Sequence, residues 1–511
     1  MAFLLWIVLL APWIGFLATA LLPRLSDRMY QAIHIVLQSV ALVAVGALWS
    51  QFHPASSHYQ AVVRLPWFSF PDAWHGANLT IGLNFGIDGL SLGLLSLAAV
   101  VLWLIAVSTR VPEGLGKARA MWVQLASFAV FATFTALNIF TFLLAIEVTL
   151  FATFFLLLRL SEADSQRTAI KFLLYRGVAS VFLIVSLVGF AFSSAATMAE
   201  PLTLGYQQLA ARAQGVATAN AALSAHYSAP QWIFLLLLLG VFIEEAFVPL
   251  HNWFPDAIKN ADTGTAMLVG GVLTKTGAYA LLRFGVGMMP ADVKVFTYVL
   301  ATVGIGNLLY GAFAAWSARD WRRLISFSSI SHMGLVLFAI GTMQADAIQG
   351  AMFLLVSSGL ITSLLLLTTS RVKARTLTLE WRQLSGLAKP LPILSGFLLF
   401  GALATLGLPL TSGFIGEFQS FFGGFAVHPT FAFIGLLGLI LSAVYSLTAI
   451  RKTTFGPFTD RAAAAAYEDA RMAEWWPIAL LTMLVLFIGI VPYPLGHVFL
   501  SAVHRLLPIG G

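Results

Sequence analysis

Eleven ionisable side chains interrupt stretches of this sequence that are otherwise apolar: Glu147, Lys171, Arg176, Glu244, Glu245, His251, Asp256, Lys275, Arg283, His332 and Glu417. Lipid cannot solvate a charge, so ionisable residues in such stretches are rare and mark ion paths or buried pairs. Their types suit proton transfer. A lysine deprived of water releases its proton more readily, and a carboxylate in the same place holds its own more firmly. Both can then change charge near neutral pH, as a relay requires. Histidine titrates there unaided, which makes His251 and His332 natural connectors. Lys171, Asp256 and Arg283 stand near the ends of their stretches, where the alternative is snorkelling to the interface. The alternative for each histidine is a satisfied polar residue near a helix break. Glu147, Glu244, Lys275 and Glu417 stand deeper, and a structural role alone does not account for all four.

Other chemistries find no support. There is no Gly-rich phosphate loop followed by Lys and Ser or Thr. The run GLGLPLTSGFIGE has glycines without the strand–turn–helix setting of a dinucleotide site. No His and carboxylate grouping has metal-ligand spacing. Ser328, Ser329 and Ser331 beside His332 share one helix and do not read as a nucleophile triad. The absence of cysteine excludes disulfides, Cys-ligated zinc and cysteine-held iron–sulfur clusters.

The elements that must position these residues are membrane helices. The chain has 511 residues, 59% hydrophobic and only 10% charged, with a mean hydropathy of +0.90. A soluble domain carries about 25% charged residues. A span needs roughly 20 apolar residues, and the sequence reads as an all-α polytopic membrane protein of about fourteen spans. They fall at 3–22, 30–50, 88–109, 118–137, 139–160, 168–194, 231–258, 262–286, 292–316, 321–342, 348–370, 391–424, 430–450 and 475–503. The first is expected to be a retained helix and not a secretory signal, since it lacks a basic n-region and an A-x-A-like site. The seventh and twelfth are too long for one straight helix. Pro249 and Pro255 in the seventh and Pro409 in the twelfth predict breaks. Broken helices persist in lipid only where protein or a water-filled cavity satisfies the freed backbone groups. Two of them, five spans apart, predict two structural repeats with a transport site in each.

Loop charges test this count. Alternate loops collect Arg24, Arg28, Arg110, Lys117, Arg119, Arg159, Arg167, Lys259, Arg319, Arg322, Arg323, Arg371, Lys373, Arg375, Arg382, Lys389, Arg451, Lys452, Arg461 and Arg471 on one side. The other side collects Arg64, Arg212, Lys294 and Arg505. The bias of 20 against 4 places both termini outside the cytoplasm. It also accounts for the net charge of +7 without invoking nucleic acid. LTIGLNFGID within 51–87 predicts a strand or hairpin. Residues 198–230 predict a surface helix, 371–390 the most basic cytoplasmic loop, and 460–474 a helical linker.

Four stretches carry a resemblance. VPLHNWFPDA (248–257), LTKTGAYALLRF (273–284), DWRRLISFSSISHMG (320–334) and LGLPLTSGFIGEF (406–418) closely resemble the antiporter-like subunits of respiratory complex I. FGIDGLS (85–91), the glutamate after the twelfth-helix break and RKTTFGPF (451–458) make the M-type, or chain 4, subunits the most similar among them. The match runs from about residue 80 to 460 and is specific to the proton-conducting membrane transporter family. Mrp-type antiporters and membrane-bound hydrogenases share the same motifs. The resemblance implies inverted five-helix repeats, the fourth to eighth and ninth to thirteenth spans, each with one broken helix. The organisation is then 1–117, three helices and a periplasmic loop; 118–286 and 287–450, the two repeats; and 451–511, a cytoplasmic linker and the last helix. It implies proton-transfer roles for Glu147, Glu244, Lys275, His332 and Glu417 along a polar axis, with Lys171, Arg176, Glu245 and His251 auxiliary or charge-balancing.

The sequence departs from the family pattern at two positions. Glu244, beside Glu245, stands where the family has a lysine, and Ser358 stands where M-type chains have a histidine. Adjacent carboxylates repel, so one of the pair is expected to hold a proton. Arg176, or else Lys171, is expected to supply the missing positive charge. The resemblance implies a proton-translocating subunit of a complex I-type NADH:quinone oxidoreductase in a bacterial inner membrane. It would hold no cofactor of its own. NADH, flavin, iron–sulfur clusters and quinone would belong to partner subunits. The alternatives are an Mrp-like cation/proton antiporter or the membrane partner of an uptake system or hydrogenase, moving Na⁺ or H⁺, and a membrane scaffold whose relay has decayed.

Overall fold

Apolar runs wind into helices because lipid offers the backbone no other hydrogen-bond partners. The computed structural model describes all residues except 23–24, 57, 75–76, 110–112, 162–163, 199–200, 214–228, 457–466 and 508–511. Arg24, Arg110 and Arg461 therefore lie outside the described residues, as does most of 198–230. Among the described residues, eleven helices are long and apolar enough to cross a membrane. They include Ala2–Leu21, Asp27–Gln51, Gly89–Ser108, Ile139–Leu160, Trp321–Gly341, Ala345–Thr376 and Pro429–Thr453. Gly116–Thr135 is a further helix of 20 residues, its apolar run diluted by Lys117, Arg119 and Gln124. Gln231–Glu244 and Pro392–Thr405 are shorter and apolar.

Both expected breaks are present. Gln231–Glu244 stops, turns through Pro249, and resumes as Trp253–Asn260. Pro255 does not contribute to this break. It sits in the first turn of the second half, where its missing N–H would have had no helical partner. The freed groups find protein partners: Trp253 Nε1 donates to the Ile243 carbonyl at 3.0 Å, and the Val248 amide donates to Asn307 Oδ1 at 2.8 Å. Pro392–Thr405 and Ser412–Val427 flank the second break, where Gly407 and Leu410 take positive φ of 72° and 80°.

The structure differs from the sequence reading in several elements. Span 262–286 is irregular. It runs from Thr263–Met267 through a π-helical stretch, Leu268–Val272, a 3-10 turn, Leu273–Lys275, α-helical Thr276–Ala280 and π-helical Leu281–Val286. Span 475–503 is two helices, Met472–Ile490 and Tyr493–Leu506. Pro492 lacks the amide to continue the first and presses Val491 out of the helical region. At 14 residues the second covers about 21 Å, too short to cross. Residues 467–471 of the expected 460–474 helix are extended coil, and 457–466 lie outside the described residues. Tertiary bonds compete for that backbone. Asp469 caps Ile393 at 2.6 Å, and Arg375 Nε donates to the Glu468 carbonyl at 2.6 Å.

A long antiparallel hairpin, Gln60–Trp74 with Ala77–Ile87, fills the expected strand region. Val63 pairs with Phe85 and Leu65 with Leu83. Asn138 Nδ2 clamps it to the start of Ile139–Leu160 through the Gly82 carbonyl at 2.7 Å. The described part of 198–230 carries the helix Tyr206–Ala213. Arg371, Lys373 and Arg375 belong to the Ala345–Thr376 helix and not to a loop.

Candidate functional site

Glu244 is the last residue of Gln231–Glu244, and Glu245 is its C-cap, so the first break delivers two carboxylates side by side. Both are fully buried. Glu244 forms an ion pair with Arg176 of the Ser165–Met198 helix, and Thr276 Oγ1 donates to the same Oε2 at 3.1 Å. Arg176 Nη2 reaches Thr276 at 3.5 Å, while the Phe172 and Trp253 rings flank the guanidinium at 5.6 and 5.8 Å. Arg176 therefore meets Glu244 as the sequence expects. Lys171 does not. It donates to Asp256 Oδ2 at 2.6 Å and to the Asn252 carbonyl at 2.9 Å, tying the broken helix to Ser165–Met198 at a half-exposed position. Glu147, half-buried on Ile139–Leu160, lies within electrostatic reach of Glu244.

Glu245 Oε1 accepts the Ala278 amide at 2.5 Å. Gly277 permits this approach: a Cβ there would stand 2.8 Å from Glu245 Cγ and 3.0 Å from Glu244 Cβ. The irregular turn on this segment carries Lys275, which is fully buried. Its ammonium meets Thr274 Oγ1 at 3.1 Å and Met333 Sδ at 3.8 Å. Met333 adjoins His332 on the Trp321–Gly341 helix. His332 Nδ1 lies 3.6 Å from Glu417 Oε1. A cavity of about 10 Å³ of water-accessible space, enough for one water, opens beside His332. Ser357, Ser358 and Thr405 contribute to its wall. Glu417 packs on Gly407, and the buried Tyr445 hydroxyl faces its charge without a hydrogen-bond partner of its own.

Glu147, Arg176, Glu244, Glu245, Lys275, His332 and Glu417 thus lie in succession across both halves of the chain, half-buried at Glu147 and His332 and buried at the others. His251 stands apart in the first break, its Nε2 3.0 Å from the Tyr310 hydroxyl. Sequence reasoning passed over Thr276 and Tyr445. The threonine flanks Lys275 in LTKTG, which was the available signal; Tyr445 has none in its local pattern.

Arg283 does not snorkel. It is buried and bidentate to Asp88 at 2.5 and 2.9 Å. Arg505 joins the same carboxylate at 3.2 Å, and the Tyr59 ring lies 4.7 Å from its guanidinium. Asp88 also caps Gly89–Ser108 through the Ser91 amide at 2.9 Å. Among the described residues no group of three or more His, Asp or Glu could hold a metal ion.

A helical membrane protein with two interrupted helices, each bringing carboxylates to a succession of ionisable groups, is built as an ion-conducting membrane subunit. The chain belongs to the NADH:quinone oxidoreductase/Mrp antiporter family of membrane subunits, whose model matches residues 136–443. It is 29% identical to NADH-quinone oxidoreductase subunit M of Escherichia coli over 98% of this chain and 97% of that protein. Its fold matches a chain of respiratory complex I from Thermus thermophilus with a TM-score of 0.82 and 27% identity, covering 99% of this chain and 100% of that one. A chain of the Mrp complex from Dietzia sp. has the same fold, with a TM-score of 0.79 at 18% identity over 99% and 97% of the two chains.

Proposed function

We infer that this chain is a proton-translocating membrane subunit of a complex I-type NADH:quinone oxidoreductase. The observation that carries the reading is the succession of ionisable groups from Glu147 to Glu417, buried at Glu244, Glu245, Lys275 and Glu417. Protons move along Glu147, Glu244, Lys275, His332 and Glu417, with Lys171, Arg176, Glu245 and His251 balancing charge or holding the breaks. The chain does no electron transfer. Redox energy from partner subunits, which carry the flavin, iron–sulfur clusters and quinone site, rearranges its internal ion pairs, and each rearrangement changes which group holds a proton.

In this reading fourteen spans, with Gln231–Asn260 and Pro392–Val427 each counted as one broken span, form two inverted five-helix repeats. Spans four to eight correspond to 118–286 and spans nine to thirteen to 287–450, with the fourth helix starting at Gly116 and the thirteenth ending at Thr453. Both termini lie on the non-cytoplasmic side of a bacterial inner membrane. Affinity purification of the tagged chain from its own membranes tests the assignment. The expected result is co-purification of flavin- and iron–sulfur-containing subunits, with NADH-driven acidification of reconstituted vesicles.

The Glu244/Glu245 pair favours a second reading, an antiporter subunit exchanging Na⁺ for H⁺. Sodium-dependent proton flux without NADH, from a preparation lacking redox subunits, would establish it and displace the first.

A further inference from the structure

The two adjacent glutamates have different surroundings, and the difference divides their roles. Glu244 faces a guanidinium. Arginine is not deprotonated in proteins, so Arg176 is a fixed positive charge. It is buried, and its only carboxylate contact among the described residues is Glu244. The Arg176 guanidinium and the Thr276 hydroxyl at 3.1 Å, which shares its one proton with the Leu273 carbonyl at 2.7 Å, converge on the single oxygen Oε2. Convergent donors on one oxygen match an ionised carboxylate, which is acceptor-only. Removing its charge would leave the guanidinium buried and unpaired, which is the costly state of a buried pair.

Glu245 has no fixed cation. Its Oε1 takes one neutral amide donor, from Ala278, at 2.5 Å. Its Oε2 is buried with no hydrogen-bond partner among the described residues. Lys275, which can also change charge, stands three residues before Ala278 on the same irregular segment. Lys275 in turn has only the Thr274 hydroxyl and the Met333 thioether for its three donors. Each of the two thus lacks a permanent counter-ion and has the other within electrostatic reach. The other charges facing this centre are Arg176 and Glu244, which cancel each other, with Glu147 beyond Glu244 and His332 beyond Lys275.

We propose that Arg176 holds Glu244 as a permanent anion, and that the mobile proton of the first half of the chain is shared between Glu245 and Lys275. The exchange is balanced over the two groups: a proton lost by the Glu245 carboxylic acid is gained by the neutral Lys275 amine, leaving carboxylate and ammonium. The ammonium then passes a proton towards His332. Glu244 and Arg176 form a fixed dipole beside this exchange, so Arg176 is a positioning residue. The proposal rests on the proton-translocating reading above and exchanges the roles that reading gives the two glutamates: Glu245 carries the proton and Glu244 balances charge.

Infrared difference spectra of the assembled complex in lipid, recorded against pH, test it. The protonated-carboxyl band of the parent is expected to lose one component in Glu245→Gln and none in Glu244→Gln. Arg176→Met is expected to add one component, from Glu244 now free to take a proton, and Glu244→Gln in that background removes it. A component lost in Glu244→Gln, or retained in Glu245→Gln, overturns the proposal, as does an unchanged band in Arg176→Met. Where Glu245→Gln does not assemble, Glu245→Asp is expected to shift the component, and an unshifted band is contrary. Failure of the subunit reading would show instead as translocation unaffected by loss of Lys275, with these bands unchanged.

Discussion

Gly407 governs where the Glu417 carboxylate can sit. Its φ of +72° lies in the left-handed region, and a Cβ at this position would overlap the carboxylate. Alanine there costs about 1–2 kcal/mol in backbone conformation and displaces Glu417 from His332. Gly407→Ala is expected to reduce proton translocation at least ten-fold in complex that still assembles; parent-level translocation would show that the position of the carboxylate is unimportant. Tyr445→Phe removes only a buried hydroxyl facing Glu417. It is expected to slow translocation several-fold with no loss of thermal stability. The ionisable succession itself was legible residue by residue, because charged types in apolar runs announce themselves. The partnerships were not. Arg176 meeting Glu244 and Arg283 meeting Asp88 join residues far apart in the chain, and Asp88, standing just before an apolar run, reads as an ordinary solvent-facing cap.

At the scale of elements, Asp88 ties together three segments. It caps Gly89–Ser108, holds Arg283 of Leu281–Val286 and holds Arg505 of Tyr493–Leu506. Gly89 and Gly93 let the last helix approach, the first against the Val498 carbonyl and the second against the Phe499 ring. Asp88→Ala leaves the buried Arg283 and the half-buried Arg505 without their carboxylate, and breaking a buried pair costs about 3–5 kcal/mol. A marked fall in the thermal unfolding temperature in detergent is expected, together with loss of the last helix from protease protection. Asp292 lies in the short Pro290–Val295 helix between spans. Burial pushes its carboxyl up from 3.8 to about 6. The fold favours its neutral form, so the carboxyl costs stability progressively as pH rises from about 4 to above 6. Asp292→Asn is expected to unfold at a higher temperature than the parent at pH 8, with the gap closing as pH falls through that window. A gap that does not change with pH would contradict this. The breaks at Pro249 and Pro409 were readable because proline acts locally. The π-helical and 3-10 turns around Lys275 were not, since they preserve the same apolar run that an α-helix would show.

For the whole molecule, the alternation of loop charge fixes an orientation that labelling can check. The chain has no cysteine, so single-cysteine variants need no background changes. Arg64→Cys on the hairpin and Lys389→Cys before the Pro392–Thr405 helix are both exposed positions. In cells with a permeable outer layer, an impermeant maleimide is expected to label position 64 and to reach position 389 only after the inner membrane is opened. The reverse pattern would invert the topology. Composition made the membrane class legible. The division of the last span and the coil at 467–471 were not legible, because tertiary contacts and one proline decide them.

The central claim is that the succession from Glu147 to Glu417 carries protons in an assembled redox complex. The most direct measurement is the proton yield per NADH oxidised, in sealed vesicles containing the complex with Lys275→Ala or Glu417→Ala. The account predicts that the yield falls sharply in both, while NADH and quinone still react through the partner subunits. An undiminished yield in both variants would contradict it.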